Sequence, residues 1–277
     1  MGNTEVSAAR IIGLFIYPVK SCGGIAVDKA RLDTAGLEHD RRWMIVDATG
    51  TFLTQRSLPR LALIATRLGG GALELAAAGM PALRVATNPP GPVVDVRVWN
   101  DTCAAFDCGS AAADWLATVL GRPARLVRFD ERCERLSDSY WTGGTSVRNA
   151  FSDGFPLLLI GEASLRDLNR RLAEPLPMNR FRPNIVVDGL DPYDEDFVAT
   201  FTRDGVQLRP VKPCTRCAIT TTDQDTAARG VEPLLTLAGY RHHEQLDGVV
   251  FGQNVIIAAG VGASLQVGDE LAVSWNF

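Results

Sequence analysis

The chain has 277 residues, 46% of them apolar, and 28 Lys and Arg against 32 Asp and Glu give it a formal charge of −4. That is enough apolar material to bury one large β-rich core or two smaller ones, so a disordered chain is excluded, and the mild acidity gives the surface as a whole no attraction for nucleic acid. The opening stretch MGNTEVSAAR lacks the basic start and apolar core of a signal peptide, and no apolar run reaches the roughly 18 residues of a spanning helix, so the expectation is a cytoplasmic protein that engages no membrane. The cysteines, Cys22, Cys103, Cys108, Cys133, Cys214 and Cys217, are too dilute for a disulfide framework and are expected to be reduced.

In chain order, the β-branched and aromatic run over 11–17 predicts a buried strand ending at Pro18, with Lys20, Ser21 and Cys22 on the glycine-terminated loop after it. Residues 43–47 and 51–55 predict a hairpin turning at Ala48-Thr49-Gly50, entered through Arg41 and Arg42. Between 58 and 99 come short apolar segments punctuated by Gly and Pro, the pattern of a barrel or sandwich. A helix is expected over 110–120, with Ser110 as its N-cap and Gly121 and Pro123 as stop signals. The segment 130–153 has no periodicity and reads as a connection between subdomains, long for an idle loop. Its Tyr140, Trp141 and Arg148 mark it as a pocket wall or partner surface.

The second half opens with a strand over 156–160 and a helix over 163–172, where Ser164 and Asp167 match a capping box. The loop NRFRPN leads into a strand over 184–187, and a hairpin over 197–212 turning at Asp204-Gly205 delivers the loop PCTRC, followed by the β-type run AITTT. The last strands fall at 249–258 and 265–273, with a turn at Gly268-Asp269. Many strands and two or three helices define an α+β class that is mostly β.

The pair Cys214 and Cys217 admits several readings: a redox dithiol, half a zinc site, a single thiolate metal ligand, or two buried structural cysteines. A redox motif should open a helix, and a closed zinc site needs a second ligand pair that His39, His242 and His243 do not supply. The basic pairs Lys20 with Ser21, Arg41 with Arg42, Arg180 with Arg182, and Lys212 with Arg216 sit at strand ends among Gly, Pro, Ser, Thr and Asn. Converging on one pocket, such groups suit a phosphate, although most basic residues in any chain are solvated surface charges. Asp153, Asp223 and Asp225 flank the same loops and could accept from heterocycle N–H groups, with Asp225 read as a turn former.

YPVKSCGG, HDRRWM, FRPNIVV, PCTRCAITTTDQDT and FGQN, in this order from about Ile11 to Val273, resemble the MOSC family with its N-terminal β-barrel domain. The resemblance implies a MOSC-type β-barrel over 126–277, an N-terminal β-barrel-like subdomain over 1–125 and a few helices. It further implies a molybdenum cofactor, a metal on the dithiolene of a pyranopterin that carries a phosphate, with one protein cysteine as ligand. By this resemblance Cys217 is that ligand and the catalytic anchor, and Cys214 is a neighbour. Lys20, Ser21, Arg41, Arg182, Thr215 and Arg216 fall on cofactor contacts, with Asn184, Asp153, Gly154 and Phe155 as additional ones. Asn254 stands after FGQ, where some relatives carry an aromatic residue. The implied activity is reduction of N-hydroxylated compounds with electrons from a separate protein, a flavin reductase with a ferredoxin or a cytochrome b5-like carrier. A cofactor carrier without turnover is the other implied role. The spacing Cys103-x4-Cys108 is followed by Ala111, so no iron–sulfur cluster is expected in this chain.

Overall fold

The computed structural model describes residues 8–276. It begins with β1 (Ala8–Ile16), the expected apolar run, followed by the short strands β2 (Ile25–Ala26), β3 (Lys29–Asp33) and β4 (Gly36–Leu37). β5 (Trp43–Val46) is buried along its whole length, but its expected hairpin partner is reduced to two residues: Thr51 bridges Arg97 and Phe52 bridges Val46. The cause is local turn chemistry. Asp47 Oδ1 accepts the N–H of Thr49 at 2.8 Å and of Thr51 at 3.1 Å, and the chain turns again at once, where Thr54 O accepts the N–H of Leu58 at 2.9 Å.

β6 (Ala65–Gly69), β7 (Ala72–Ala76) and β8 (Leu83–Ala86) form a meander, and β9 (Val93–Val98) pairs with β10 (Asp101–Asp107). α1 (Ser110–Leu120) has the expected limits, yet Gly109 rather than Ser110 occupies the N-cap position, and Gly121 ends the helix in the left-handed region at φ 69°. After β11 (Arg125–Phe129) the chain is irregular except for the single turn α2 (Ser139–Thr142). β12 (Leu157–Gly161), α3 (Glu162–Arg171) and β13 (Ile185–Asp188) form a parallel crossover. The capping box does not form, because Ser164 Oγ donates to Glu195 Oε2 at 2.7 Å and Asp167 accepts from Arg171 and Tyr193. β14 (Val198–Arg203) and β15 (Val206–Thr215) make the expected hairpin, and α4 (Leu234–Ala238), β16 (His242–His243), β17 (Gly248–Ala259), β18 (Ser264–Gln266) and β19 (Glu270–Trp275) complete the described chain. The turn at Gly268 separates β18, which pairs with β3, from β19, which pairs with β1 and β14.

The fold is mostly β and closes twice. Seven strands run in the order β12-β13-β1-β19-β14-β15-β17, and β17 pairs back onto β12 to complete a barrel. Ile11, Leu14, Leu159, Ile185, Phe201, Leu208, Val255 and Leu271 fill its core. A smaller ring runs β5-β11-β10-β9 and is closed by Thr51 and Phe52, which bridge β9 to β5 around Met44, Val96, Cys103, Val127, Phe129 and Phe151. α1 and the β6-β7-β8 meander pack against the other face of β5 and β11 through Trp43, Ile45, Leu75, Trp115, Leu116 and Leu126.

Gly252 of the FGQN motif shows why part of that motif is structural. Its φ is +74°, and a Cβ there would lie 2.8 Å from the Leu159 carbonyl oxygen and 2.6 Å from Ile160 Cγ1, across the β12–β17 pairing that closes the barrel. Gly252→Ala is expected to destabilise the fold by at least about 2 kcal/mol, read from the urea midpoint, through left-handed strain and backbone overlap together. A midpoint equal to that of the wild type would contradict this reading of the barrel closure.

Candidate functional site

A single cavity, about 830 Å³ of open space with its mouth included, is lined by every residue for which a site role was expected: Lys20, Ser21, Arg41, Asp153, Gly154, Phe155, Arg182, Asn184, Thr215, Arg216, Cys217 and Asn254. These residues come from loops far apart in sequence, so the cavity exists only because both barrels are formed.

The chain after β1 is pinned first. Asp40 Oδ1 accepts the Tyr17 N–H at 2.7 Å, Tyr17 O accepts the Arg41 N–H at 2.8 Å, and Trp43 O accepts the Lys20 N–H at 2.8 Å. Arg41 then reaches across, donating to Asp40 Oδ2 at 2.6 Å, Asn184 Oδ1 at 3.0 Å and the Arg182 carbonyl at 3.1 Å. Asn184 is the joint between elements: its Oδ1 also accepts the Leu158 N–H at 3.2 Å, and its Nδ2 donates to Phe15 O at 3.1 Å. Three non-glycine lining residues adopt left-handed backbone, Ser21 at φ 67°, Arg41 at φ 47° and Arg182 at φ 57°. Such strain costs on the order of 1–2 kcal/mol per residue and collects at functional sites.

The PCTRC loop forms the opposite wall. Arg216 is fixed by its N–H to Val249 O at 2.8 Å and by Nη2 to Phe181 O at 2.6 Å, while Nη1 donates to Cys214 Sγ at 3.0 Å. Cys217 Sγ has no hydrogen-bond partner among the described residues, and all cysteines of the chain are free. The expected β-type run AITTT is instead a 3-10 turn, Ala218–Thr221, in which the Thr220 and Thr221 hydroxyls donate to the carbonyls of Cys217 and Ala218 at 3.0 and 2.9 Å. Local hydroxyl-to-carbonyl bonds override the β propensity of these threonines. Arg180 holds that turn from beneath, donating to Thr220 O at 3.0 Å, Thr221 O at 3.2 Å and Asp223 Oδ2 at 3.2 Å.

Charge in the cavity is unbalanced: Lys20, Arg41, Arg56, Arg182 and Arg216 line it against one carboxylate, Asp153. Burial pushes the Arg182 guanidinium down to about 10, although its side chain sits over the Tyr17 ring at 4.3 Å. Burial likewise lowers Lys20, against the pull of Asp153. Lys20 Nζ donates to Phe151 O at 2.8 Å and to Asp153 Oδ1 at 2.5 Å. Partial desolvation at the cavity wall works to raise the Asp153 carboxyl, but Lys20 and Arg56 outweigh it and hold the group well below the usual carboxylate range.

Not every basic residue at these loops reaches the cavity. Arg42 pairs with Asp33, Arg180 serves the 3-10 turn, and Lys212 lies 4.9 Å from the Trp141 ring centroid. Of the segment 130–153, Ser152 and Asp153 line the cavity, whereas Tyr140 stands 80% exposed and Arg148 donates to the Glu131 and Cys133 carbonyls. Asp225 lies in a turn as expected, but the side chain that builds the turn is that of Asp223, which accepts the N–H groups of Asp225 and Thr226. Arg56 and Phe181 line the cavity without having been expected there, and Cys214, expected as a neighbour of Cys217, lines it as well. For Arg56 the available signal was a lone arginine directly after a misread strand.

The family described as MOSC N-terminal beta barrel domain matches residues 8–123, and the family described as MOSC domain matches residues 146–272. The chain belongs to the MOSC-domain family. It is 36% identical to mitochondrial amidoxime-reducing component 1 of Homo sapiens over 87% of this chain and 74% of that one, and 33% identical to mitochondrial amidoxime reducing component 2 of Bos taurus over 93% and 81%. It is also 32% identical to molybdenum cofactor sulfurase of Danio rerio, over 90% of this chain and 32% of that longer protein.

These names overturn the cytoplasmic expectation, since the amidoxime-reducing relatives are mitochondrial components. That expectation rested on an N-terminal stretch of which residues 1–7 lie outside the described residues. No helix among the described residues is long and apolar enough to cross a membrane, which assigns no compartment.

The lining fits a metal that arrives with most of its own donors. No group of three or more His, Cys, Asp or Glu side chains that could hold a metal occurs among the described residues. The cavity offers instead a soft sulfur donor in Cys217 and several guanidinium forks, which suits a thiophilic metal on an anionic carrier.

The Asp153 carboxyl links the site to acid stability. Its folded pKa is depressed, so its stabilising contribution is complete above about pH 4 and is lost as pH falls through the folded value. The stability advantage of wild type over Asp153→Asn, from urea midpoints, is expected to be larger at pH 5 than at pH 2.5. It will be modest, because the Asp153 side chain is 59% exposed. An advantage that does not change with pH would contradict the ion pair.

Proposed function

We propose that this chain is a molybdenum-cofactor-dependent reductase of N-hydroxylated compounds, amidoximes, hydroxylamines and N-hydroxy bases, supplied with electrons by a separate donor protein. The observation that carries the reading is the unpartnered Cys217 thiol in a cavity where cations outnumber carboxylates. The names of the relatives support it.

In this reading the unit 1–125 contributes Lys20, Ser21 and Arg41, and the unit 126–277 contributes the rest of the site. Cys217 is the protein ligand to molybdenum. Arg41, Arg182, Arg216 and Lys20 hold the anionic carrier, helped by the Ser21 and Thr215 hydroxyls, while Gly154, Phe155 and Asn254 form walls. Asn184 touches the group mainly by fixing Arg41, since its oxygen is already shared between Arg41 and the Leu158 N–H. Arg216 occupies the Cys214 sulfur, which leaves Cys217 as the thiol available for the metal. Asp153 stays ionised at neutral pH and therefore positions Lys20 rather than donating a proton. When bound, the molybdenum group supplies a two-electron couple, and the balance is R–NHOH plus two electrons and two protons giving R–NH2 and water.

The relative named molybdenum cofactor sulfurase favours a second reading, a carrier that binds the cofactor without turnover. The test is reduction of an aromatic amidoxime by cofactor-loaded protein with a chemical reductant. Wild type is expected to turn over, Cys217→Ser to lose about a hundredfold or more, and Cys214→Ser to stay within about tenfold, as for a residue beside the ligand. Wild-type rates in Cys217→Ser would refute the reductase reading. No turnover in loaded wild type would favour the carrier.

A further inference from the structure

Arg56 has no role in the reading above, yet it is built into the cavity wall with its side-chain donors free of hydrogen bonds to described residues, although it lies within ion-pair range of Asp153. None of its side-chain N–H groups is hydrogen-bonded to a described residue: Nη1 is buried without a partner, and Nη2 stops 3.7 Å from Asp153 Oδ2. Arginine presents five donors in a planar fork, and leaving such donors unmatched out of water is unfavourable. Disorder does not account for it, because the residue is held from several sides. Its Cζ lies 4.5 Å from the Trp99 ring centroid, Trp99 packs on Phe52 at 5.0 Å, and Trp99 Nε1 donates to Asp153 Oδ1 at 3.2 Å. The backbone is clamped as well, since the Arg229 guanidinium donates to the carbonyls of Gln55 and, at 2.8 Å, of Arg56. Trp99 itself takes φ 55°, a conformation a bulky residue adopts only where its surroundings impose it.

The charges around it point the same way. Lys20 and Arg56 are two cations facing the single carboxylate of Asp153, and the hydrogen bonds of that carboxylate go to Lys20 and Trp99. Arg56 is left with positive charge and open donors on the side where Trp99 is 39% exposed. The two oxygens of a carboxylate, or two of a phosphate, match a guanidinium fork in both charge and spacing.

We propose that Arg56, stacked on Trp99, is an oxyanion-binding arm of the cavity that grips a phosphate or carboxylate of the bound molecule in a bidentate fork. It acts as a positioning residue and does not touch the reacting atoms. The proposal rests on the reductase reading only for the source of the oxyanion, which is either the phosphate of the resident cofactor or a carboxylate on the substrate.

Two measurements on the full chain decide it, with Arg56→Lys keeping the charge but losing the fork and Arg56→Gln losing both. In the first, protein from cells that make no molybdenum cofactor is titrated with inorganic pyrophosphate and its thermal midpoint is followed. In the second, loaded protein is given an N-hydroxylated substrate bearing a carboxylate and its uncharged counterpart; in protein without turnover, the same two compounds are compared by equilibrium binding. If the cofactor phosphate is the oxyanion, the pyrophosphate Kd weakens about tenfold or more in both variants. If the substrate carboxylate is the oxyanion, KM or Kd for the carboxylate-bearing compound rises about tenfold, with the uncharged one and kcat unmoved. Either outcome supports the arm. Wild-type values in both measurements for both variants would overturn it, whatever becomes of the reductase reading.

Discussion

The structure depends on positive charge held together without enough negative charge to neutralise it. Arg182 is 8% exposed and its guanidinium is pulled down to about 10 by burial, and Lys20 is lowered by the same cause. Burying cations is unfavourable by several kcal/mol per ion unless partners compensate; among the described residues Asp153 is the one carboxylate in the lining, and Asp40, behind it, forms its ion pair with Arg41 alone. An anionic occupant, as proposed, would relieve that repulsion and dehydration on entering. Part of the affinity for such an occupant would then be stored in the folded protein, alongside the left-handed backbone at Ser21, Arg41 and Arg182.

The two barrels are the frame that tolerates this. Asp40 ties the end of β1 to the entry of β5, Arg41 carries the tie to Asn184 and to the Arg182 carbonyl, and Asn184 stitches β1 to the start of β12. The opposite wall is fixed separately, by Arg180 under the 3-10 turn and by Arg216 between Phe181 and Val249. Residues that hold and residues that receive are thus interleaved along the chain. The pair Cys214 and Cys217 shows the division most clearly: one sulfur accepts from Arg216 and the other has no partner among the described residues.

Much of this was legible in the sequence where local chemistry decides. The β14–β15 hairpin turns at Asp204-Gly205 as expected, because both residues accept positive φ there. Most of the basic loop ends converge on one cavity, although Arg42, Arg180 and Lys212 serve elsewhere, since neighbouring residues of a strand or loop face different sides. Tertiary partners decided what could not be read. Ser164 is claimed by Glu195 instead of capping α3, and AITTT folds as a 3-10 turn because its hydroxyls close on nearby carbonyls. Arg56 was invisible because its meaning comes from Trp99 and Asp153, dozens of residues away in sequence. Compartment was misread from a terminal stretch of weak character, where the relatives speak more directly.

The most direct test of the central claim, that an anionic molybdenum carrier balances this charge, is elemental analysis of the protein purified from cells that make the cofactor. The account predicts about one molybdenum per chain, accompanied by phosphorus, in wild type, and loss of both in Arg182→Glu, which reverses the charge at the most deeply buried guanidinium of the cavity lining. Wild-type protein without molybdenum, or Arg182→Glu with a full complement of both elements, would contradict it.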